Sequence, residues 1–305
     1  MMLNARNAAL AVIMRNARHA AVPVVALLAA MLLATRGTAA PASPHPAHPA
    51  RASHAAPPRV ALSRYADLNH IRMYYVVRGS GPVLVLLHGG AGNGDQFEHQ
   101  VGEFEKHYKL IIPDMCAQGR TTDRPGPLTF HAMAEDVIAL MDQLGIKRFD
   151  VMGWSDGGVT GIDIAIHHPG RIKHLVTFGA NFSPDGLNPA DVAWNDTATV
   201  AGFGDGMREG WMKLNPEPAH YEVALGKVLV LWKTLPKFTP AELGSIRTRV
   251  LVCAGENDLI RLDHTKALVK AIPNAKMWIV PAASHSAMIE KPELVNPKVL
   301  AFLGS

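Results

Sequence analysis

Phe149–Met152 is a short apolar run, residues 153–157 read Gly-Trp-Ser-Asp-Gly, and Val159–Ile166 continues with helical spacing. This stretch constrains the fold more than any other part of the chain. A strand that ends in G-x-S-x-G and turns at once into a helix is the setting of a nucleophile elbow. The glycines suit a tight strand-to-helix turn and let neighbouring backbone approach the serine. Such a turn lifts the Ser155 hydroxyl above the end of a sheet and leaves the N–H of Asp156 beside it. As a bare pattern the motif is common by chance; the flanking strand and helix give it its meaning.

The same alternation runs through the rest of the chain. Arg72–Val77, Val83–Leu87, Leu110–Ile112, Leu175–Phe178, Val250–Cys253 and Met277–Val280 read as strands, while Ala132–Leu144, His264–Ile272 and Leu294–Leu303 read as helices. Apolar strands alternating with helices predict an α/β fold with a mostly parallel sheet covered on both faces. Residues 181–245 break the rhythm, with no strong strand signal between two strands. A long insertion at a strand's C-terminal end predicts a small helical cap over a pocket. Within it Tyr221, Leu225, Val228, Leu229 and Trp232 recur at helical spacing, which for most of them reads as a surface that docks the helix.

A serine hydroxyl is a poor nucleophile near neutral pH and needs a base, and the base needs an orienting acid. The strand ending at Cys253 runs into Ala-Gly-Glu-Asn-Asp258, and the strand ending at Val280 runs into a loop carrying His285. Ser155, Asp258 and His285 thus follow one another in the order of a strand-borne triad, each just past a strand end. Glu256 is an alternative acid. A tetrahedral intermediate also needs donors for its oxyanion. Leu86-Leu-His-Gly-Gly-Ala-Gly92 follows an upstream strand, and the N–H groups of Gly90 and Asp156 are the expected pair. No G-x-G-x-x-G, G-x-x-x-x-G-K-[ST] or H-E-x-x-H register occurs, so nucleotide-binding and zinc-protease readings lack their residues.

The formal charge of +4 invites a nucleic-acid or membrane reading, but four arginines and no acid lie in residues 1–40, and the remainder balances 26 basic against 26 acidic residues. No electrostatic footprint for nucleic acid is left. Residues 1–40 combine early arginines, an uncharged run from Ala20 to Ala34 and the small-residue stretch Thr38-Ala39-Ala40. That pattern predicts a signal peptide, hence export to the periplasm or medium, with Met14 as an alternative start and an uncleaved membrane anchor as the rival. Residues 41–58 hold six Pro, six Ala and three His (His45, His48, His54), the composition of a semi-rigid linker. Its histidines could at most hold a metal weakly.

The residues Val151–Gly158, His168-Pro169, Phe178–Asn181 and the ending from His285 through Glu290 to Pro292 resemble the α/β-hydrolase superfamily over about 59–305, and within it the valacyclovirase-like (biphenyl hydrolase-like) serine esterases. The resemblance implies an eight-stranded, mostly parallel sheet, a cap before the acid-bearing strand, a Ser155–Asp258–His285 triad and no cofactor or metal. It also implies that Asp156 either binds the ammonium of an α-amino acid ester or simply favours the helix N-terminus. One departure stands out. Where the superfamily usually carries D-x-R-G-x-G-x-S, the chain reads Asp114-Met-Cys-Ala-Gln-Gly-Arg-Thr121, so the arginine that braces nearby loops is replaced by Cys116, and a glycine by Ala117. In the implied strand order Cys116 and Cys253 lie about four strands apart, too far for a disulfide, so both are expected to be free, mostly buried thiols.

The expected function is a serine hydrolase acting on small carboxylic esters through an acyl-enzyme. The alternatives are carbon–carbon bond hydrolysis or perhydrolysis with the same triad, and a hydrolase-fold binding protein without turnover. The expected partner is a small-molecule ester, with no nucleic acid and with a membrane only if the N-terminal segment is retained.

Overall fold

The computed structural model describes residues 61–304. The expected signal peptide and the linker over 41–58 lie outside the described residues. No described helix is long and apolar enough to cross a membrane.

Eight strands form one sheet: β1 Leu62–Leu68, β2 Ile71–Gly79, β3 Val83–Leu87, β4 Lys109–Pro113, β5 Phe149–Trp154, β6 Ile172–Phe178, β7 Arg249–Asn257 and β8 Ala275–Ser284. They lie in the order β1-β2-β4-β3-β5-β6-β7-β8. β2 is antiparallel to both of its neighbours, and every pairing from β4 through to β8 is parallel. The expected mostly parallel, eight-stranded sheet is therefore present.

Side-chain alternation divides the core in two. Val85 and Leu87 of β3, Val151 of β5 and Val250 and Val252 of β7 face one layer. Leu84, Leu86, Met152, Trp154, Leu251 and Cys253 face the other. All six residues of β5 are buried. Burial on both faces is why these strands read as continuous apolar runs. The first layer is closed by α2 (Phe130–Gln143), α3 (Asp156–His167) and α8 (Leu262–Ala271), the second by α1 (Glu98–Phe104) and α9 (Pro292–Leu303). The strand β1 carries no comparable signal, because only Ala66 of its seven residues is buried. It is held as an edge hairpin by backbone pairing with β2.

Between β6 and β7 the chain forms α4 (Pro189–Thr197), α5 (Gly204–Leu214), α6 (Tyr221–Thr234) and α7 (Pro240–Ser245), a helical cap as expected from 181–245. Polar ties fasten it to the body. Asn215 donates from Nδ2 to the carbonyls of Gly119 and Thr121, both at 3.0 Å. The Lys227 ammonium donates to Asp123 Oδ2 at 2.5 Å and to the Arg124 carbonyl at 2.6 Å.

Both cysteines are free and buried. Burial pushes the Cys116 thiol up to about 11 and the Cys253 thiol further in the same direction, so neither is a poised thiolate. The departure in the loop after β4 also has a structural answer. Arg120, four residues on, donates to Asp114 Oδ2 at 3.0 Å and pairs with Asp95. Arg124 places Nε 3.3 Å from Cys116 Sγ and pairs with the buried Asp136 of α2. Two arginines from further along the chain thus brace the loop that Cys116 cannot. Ala117 adopts φ +62°, a left-handed conformation that costs a non-glycine residue free energy.

Candidate active site

Ser155 sits between β5 and α3 at φ +52°, ψ −118°, backbone that L-residues rarely adopt and that stores strain. Its N–H donates to the Phe178 carbonyl at 2.7 Å, and its own carbonyl accepts from Val159 at 3.0 Å. The two motif glycines are required for space rather than torsion. A Cβ on Gly153 would lie 2.3 Å from the Gly157 carbonyl oxygen, and one on Gly157 would lie 2.0 Å from that of Leu87. The only left-handed residue of the turn is the serine itself.

Asp258 and His285, 27 residues apart, meet directly: His285 Nδ1 lies 2.7 Å from Asp258 Oδ1. The carboxylate is held by two further donors, the Ile260 N–H at 3.0 Å on Oδ1 and the Gly255 N–H at 3.1 Å on Oδ2. With Asp258 ionised, Nδ1 carries the proton and Nε2 is left as the basic nitrogen. Gly179 makes room for the ring, since a Cβ there would lie 2.5 Å from His285 Nδ1. Trp154, between the motif's first glycine and the serine, donates Nε1–H to the His285 carbonyl at 2.8 Å. Glu290 grips the preceding turn through the Ser284 N–H and hydroxyl, at 2.8 and 2.5 Å. Glu256, the alternative acid, is exposed and instead accepts from the Ala282 N–H at 2.8 Å. It has no part in the cluster.

Ser155 and His285 line one cavity together with Gly89, Gly90, Trp154 and Asp156. Asp156 is the first residue of α3, so its N–H has no acceptor within the helix. The Gly89 N–H is engaged by Gln96 Oε1 at 3.0 Å, which leaves Gly90 as the glycine placed to offer a free N–H. His88 holds this loop from behind. It is fully buried, accepts from the Met115 N–H through Nε2 at 2.8 Å and places Nδ1 2.7 Å from the Gly89 carbonyl. Burial lowers its pKa, and a ring that accepts at one nitrogen is the neutral tautomer. An imidazole with a carboxylate behind it, a hydroxyl on a strained turn at the same cavity and two backbone N–H groups are the parts from which an alkoxide equivalent and an oxyanion site can be built.

Of the residues expected from the sequence, Ser155, His285, Gly90 and Asp156 line this cavity, and Asp258 lies behind the His285 ring. Sequence reasoning missed two acidic and aromatic features of the cap. Trp232 of α6 donates Nε1–H to Asp156 Oδ2 at 2.9 Å, and a Cβ on Gly90 would strike both groups. Asp191 of α4 and Trp194 also line the cavity, with Phe130 from the body. Burial raises the Asp156 carboxyl to about 6, opposed by the Trp232 hydrogen bond and the His285 ring. Burial likewise raises Asp191, opposed by a hydrogen bond from Asn188.

Residues 82–210 match the α/β hydrolase fold family. A putative carbamate hydrolase, RutD, from Caulobacter sp. (strain K31) is 28% identical over 259 residues, covering 76% of this chain and 95% of the relative. A 2-hydroxy-6-oxo-6-phenylhexa-2,4-dienoate hydrolase from Comamonas testosteroni is 25% identical over 274 residues, 78% of this chain and 93% of that one. Among solved structures, the enol-lactonase from Burkholderia xenovorans LB400 superposes with a TM-score of 0.66 at 24% identity, covering 79% of this chain and all of that chain. The eight-stranded sheet, the strand-end placement of the polar cluster and these similarities agree: the chain has the α/β hydrolase fold and is a hydrolase of that fold.

Proposed function

We propose that the protein is a serine hydrolase of small carboxylic esters, and that its preferred substrates carry a positive charge close to the acyl carbonyl, as α-amino acid esters do. Ser155 Oγ attacks the carbonyl while His285 Nε2 takes its proton. Asp258 holds the resulting imidazolium, and the N–H groups of Gly90 and Asp156 receive the oxyanion. His285 then protonates the leaving alcohol. In the second half it activates the water that cleaves the acyl-enzyme.

The observation that carries the charge preference is the make-up of the cavity wall. Two carboxylates, Asp156 and Asp191, face it together with Trp154, Trp194, Trp232 and Phe130, and no lysine or arginine lines it. A desolvated carboxylate without a cationic partner is costly, and aromatic faces attract cations. An ammonium substrate satisfies both. The helix N-terminus alone rewards an acid at position 156 by only ~0.3–1 kcal/mol, which does not explain a second acid, Asp191, in the same lining. The competing carbon–carbon hydrolase reading takes its support from the dienoate hydrolase relative. A dienoate is itself an anion, and this wall offers it two like charges and no counter-ion.

Asp156→Asn keeps an oxygen to accept from Trp232 and removes the charge. It is expected to lower kcat/KM on α-amino acid esters by about 10- to 100-fold, the worth of a hydrogen-bonded charge, and to leave uncharged esters of equal size unchanged or faster. An equal loss on both classes sinks the ammonium assignment. The pH dependence gives a second check. Asp156 is charged above about 6 and neutral below it. The ratio of kcat/KM for a quaternary-ammonium acyl ester to that for its neutral tert-butyl isostere should therefore fall as pH drops from 8 to 5. Taking the ratio cancels any pH effect that both substrates share. A ratio flat across this range counts against Asp156 as the cation's partner.

A further inference from the structure

The helix pair α2 and α3, on the outer side of the first core layer, carries a second cluster of ligating groups that the hydrolytic site does not use. His131 lies in the first turn of α2. Asp163 and His167 lie four residues apart in α3, hence on one face of that helix. His131 Nδ1 and His167 Nδ1 converge on the same oxygen, Asp163 Oδ1, at 2.9 and 3.1 Å. The two rings sit 4.4 Å apart, and one donor atom from each of the three residues fits within a span of 4.8 Å. Asp163 is 3% exposed, while both imidazoles reach solvent.

We propose that His131, Asp163 and His167 bind one divalent transition-metal ion, Zn²⁺ by ligand type, which clamps α2 to α3. Zinc bonds of about 2.0–2.2 Å to nitrogen and oxygen put tetrahedral ligands about 3.4 Å apart, so the two edges to Asp163 Oδ1, at 2.9 and 3.1 Å, need to open by only a few tenths of an ångström, and the third lies within the 4.8 Å span. Two imidazoles and one carboxylate are a three-ligand set that leaves the fourth position to water. The metal takes the Nδ1 lone pairs, and each imidazole proton moves to Nε2 through solvent, so the rings stay neutral. Glu135 is placed for that tautomer. Its Oε1 lies 3.9 Å from His131 Nε2 and 2.5 Å from His168 Nε2, the outer carboxylate that metal-bound histidines commonly carry. No sequence motif announces this set, because His131 is supplied by a different helix from the i, i+4 pair.

The test uses the full chain, stripped of metal by chelation and dialysed. Titration with ZnCl₂ should show saturable binding of one equivalent and a rise in melting temperature, and CoCl₂ should give the visible d–d absorption of a tetrahedral site. His131→Ala and His167→Ala should each weaken binding at least about tenfold, and Glu135→Gln, which leaves every ligand in place, by about tenfold. Melting curves of the metal-free variants establish that they fold. The Co²⁺ spectrum of the unaltered chain reads the site without any variant. The proposal is overturned if the unaltered chain binds no saturating equivalent. It is equally overturned if the His131→Ala/His167→Ala double variant binds as before, which would place the metal elsewhere, such as the histidines of the 41–58 linker. The cluster would then be a hydrogen-bonded tie between two helices.

Discussion

Ser155→Ala is expected to lower turnover of any ester the protein hydrolyses by about 10⁶-fold, the scale seen when a triad nucleophile is removed. It should also abolish labelling by a fluorophosphonate. Neither loss should come with a loss of stability. The residue sits at φ +52°, ψ −118°, where alanine and serine are strained alike, and no core packing depends on the hydroxyl. Ser155→Gly sharpens the point. Glycine relieves a strain of about 1–3 kcal/mol at some cost in unfolded-chain entropy, so this variant should be inactive and melt ~2–4 °C higher. Activity lost while stability rises is what a turn shaped for chemistry predicts. If Ser155→Ala keeps more than about 1% of activity, or still takes up the label, the nucleophile is another residue. Ligand binding by the parent chain with neither turnover nor labelling would favour a binding protein without turnover.

How much of this was legible in the sequence follows from burial. The strands β3 to β7 are apolar on both faces and announce themselves. The triad could be placed because each member lies just past a strand's end: Ser155 after Trp154 of β5 and Asp258 after Asn257 of β7, and His285 after Ser284 of the more exposed β8. The strand β1 stayed hidden because it lies at an exposed edge with only Ala66 buried, so no apolar run marks it. The helix α1 stayed hidden because seven residues are too few for periodicity to show, and one of its three buried side chains is Gln100. The cap was legible as a helical insertion but not in its chemistry. Trp232 has the spacing of a packing stripe, and only the fold turns its indole N–H toward Asp156. Asp191 lies on α4, which has no buried residue and a polar sequence, so nothing local distinguishes it from a solvated acid. The bracing arginines show the same limit. Cys116 marks a missing arginine, but that Arg120 and Arg124 take over is a matter of geometry.

Gly157→Ala should be among the most damaging single methyl additions in the described residues. Its Cβ would lie 2.0 Å from the Leu87 carbonyl oxygen, 2.4 Å from the Leu87 carbonyl carbon and 2.7 Å from the His88 carbonyl oxygen. All three are backbone atoms where β3 leaves the sheet, so no side chain can swing aside. Relief requires α3 to withdraw from β3, which would uncover the apolar surface between them. A loss of more than about 4 kcal/mol is expected, at the extreme of single substitutions. The movement would also separate the Asp156 N–H on α3 from the Gly90 N–H on the loop after β3, so any folded fraction should lose about 10²-fold in kcat. Gly102→Ala is the matched control. Gly102 lies exposed within α1, with nothing within 4 Å of its added Cβ, and alanine there should stabilise by roughly 0.5–1 kcal/mol. Chemical denaturation of the two variants beside the parent chain decides the matter. If Gly157→Ala unfolds within 1 kcal/mol of the parent, the close approach of helix and strand does not hold in solution. The shared positioning of the oxyanion donors would fall with it.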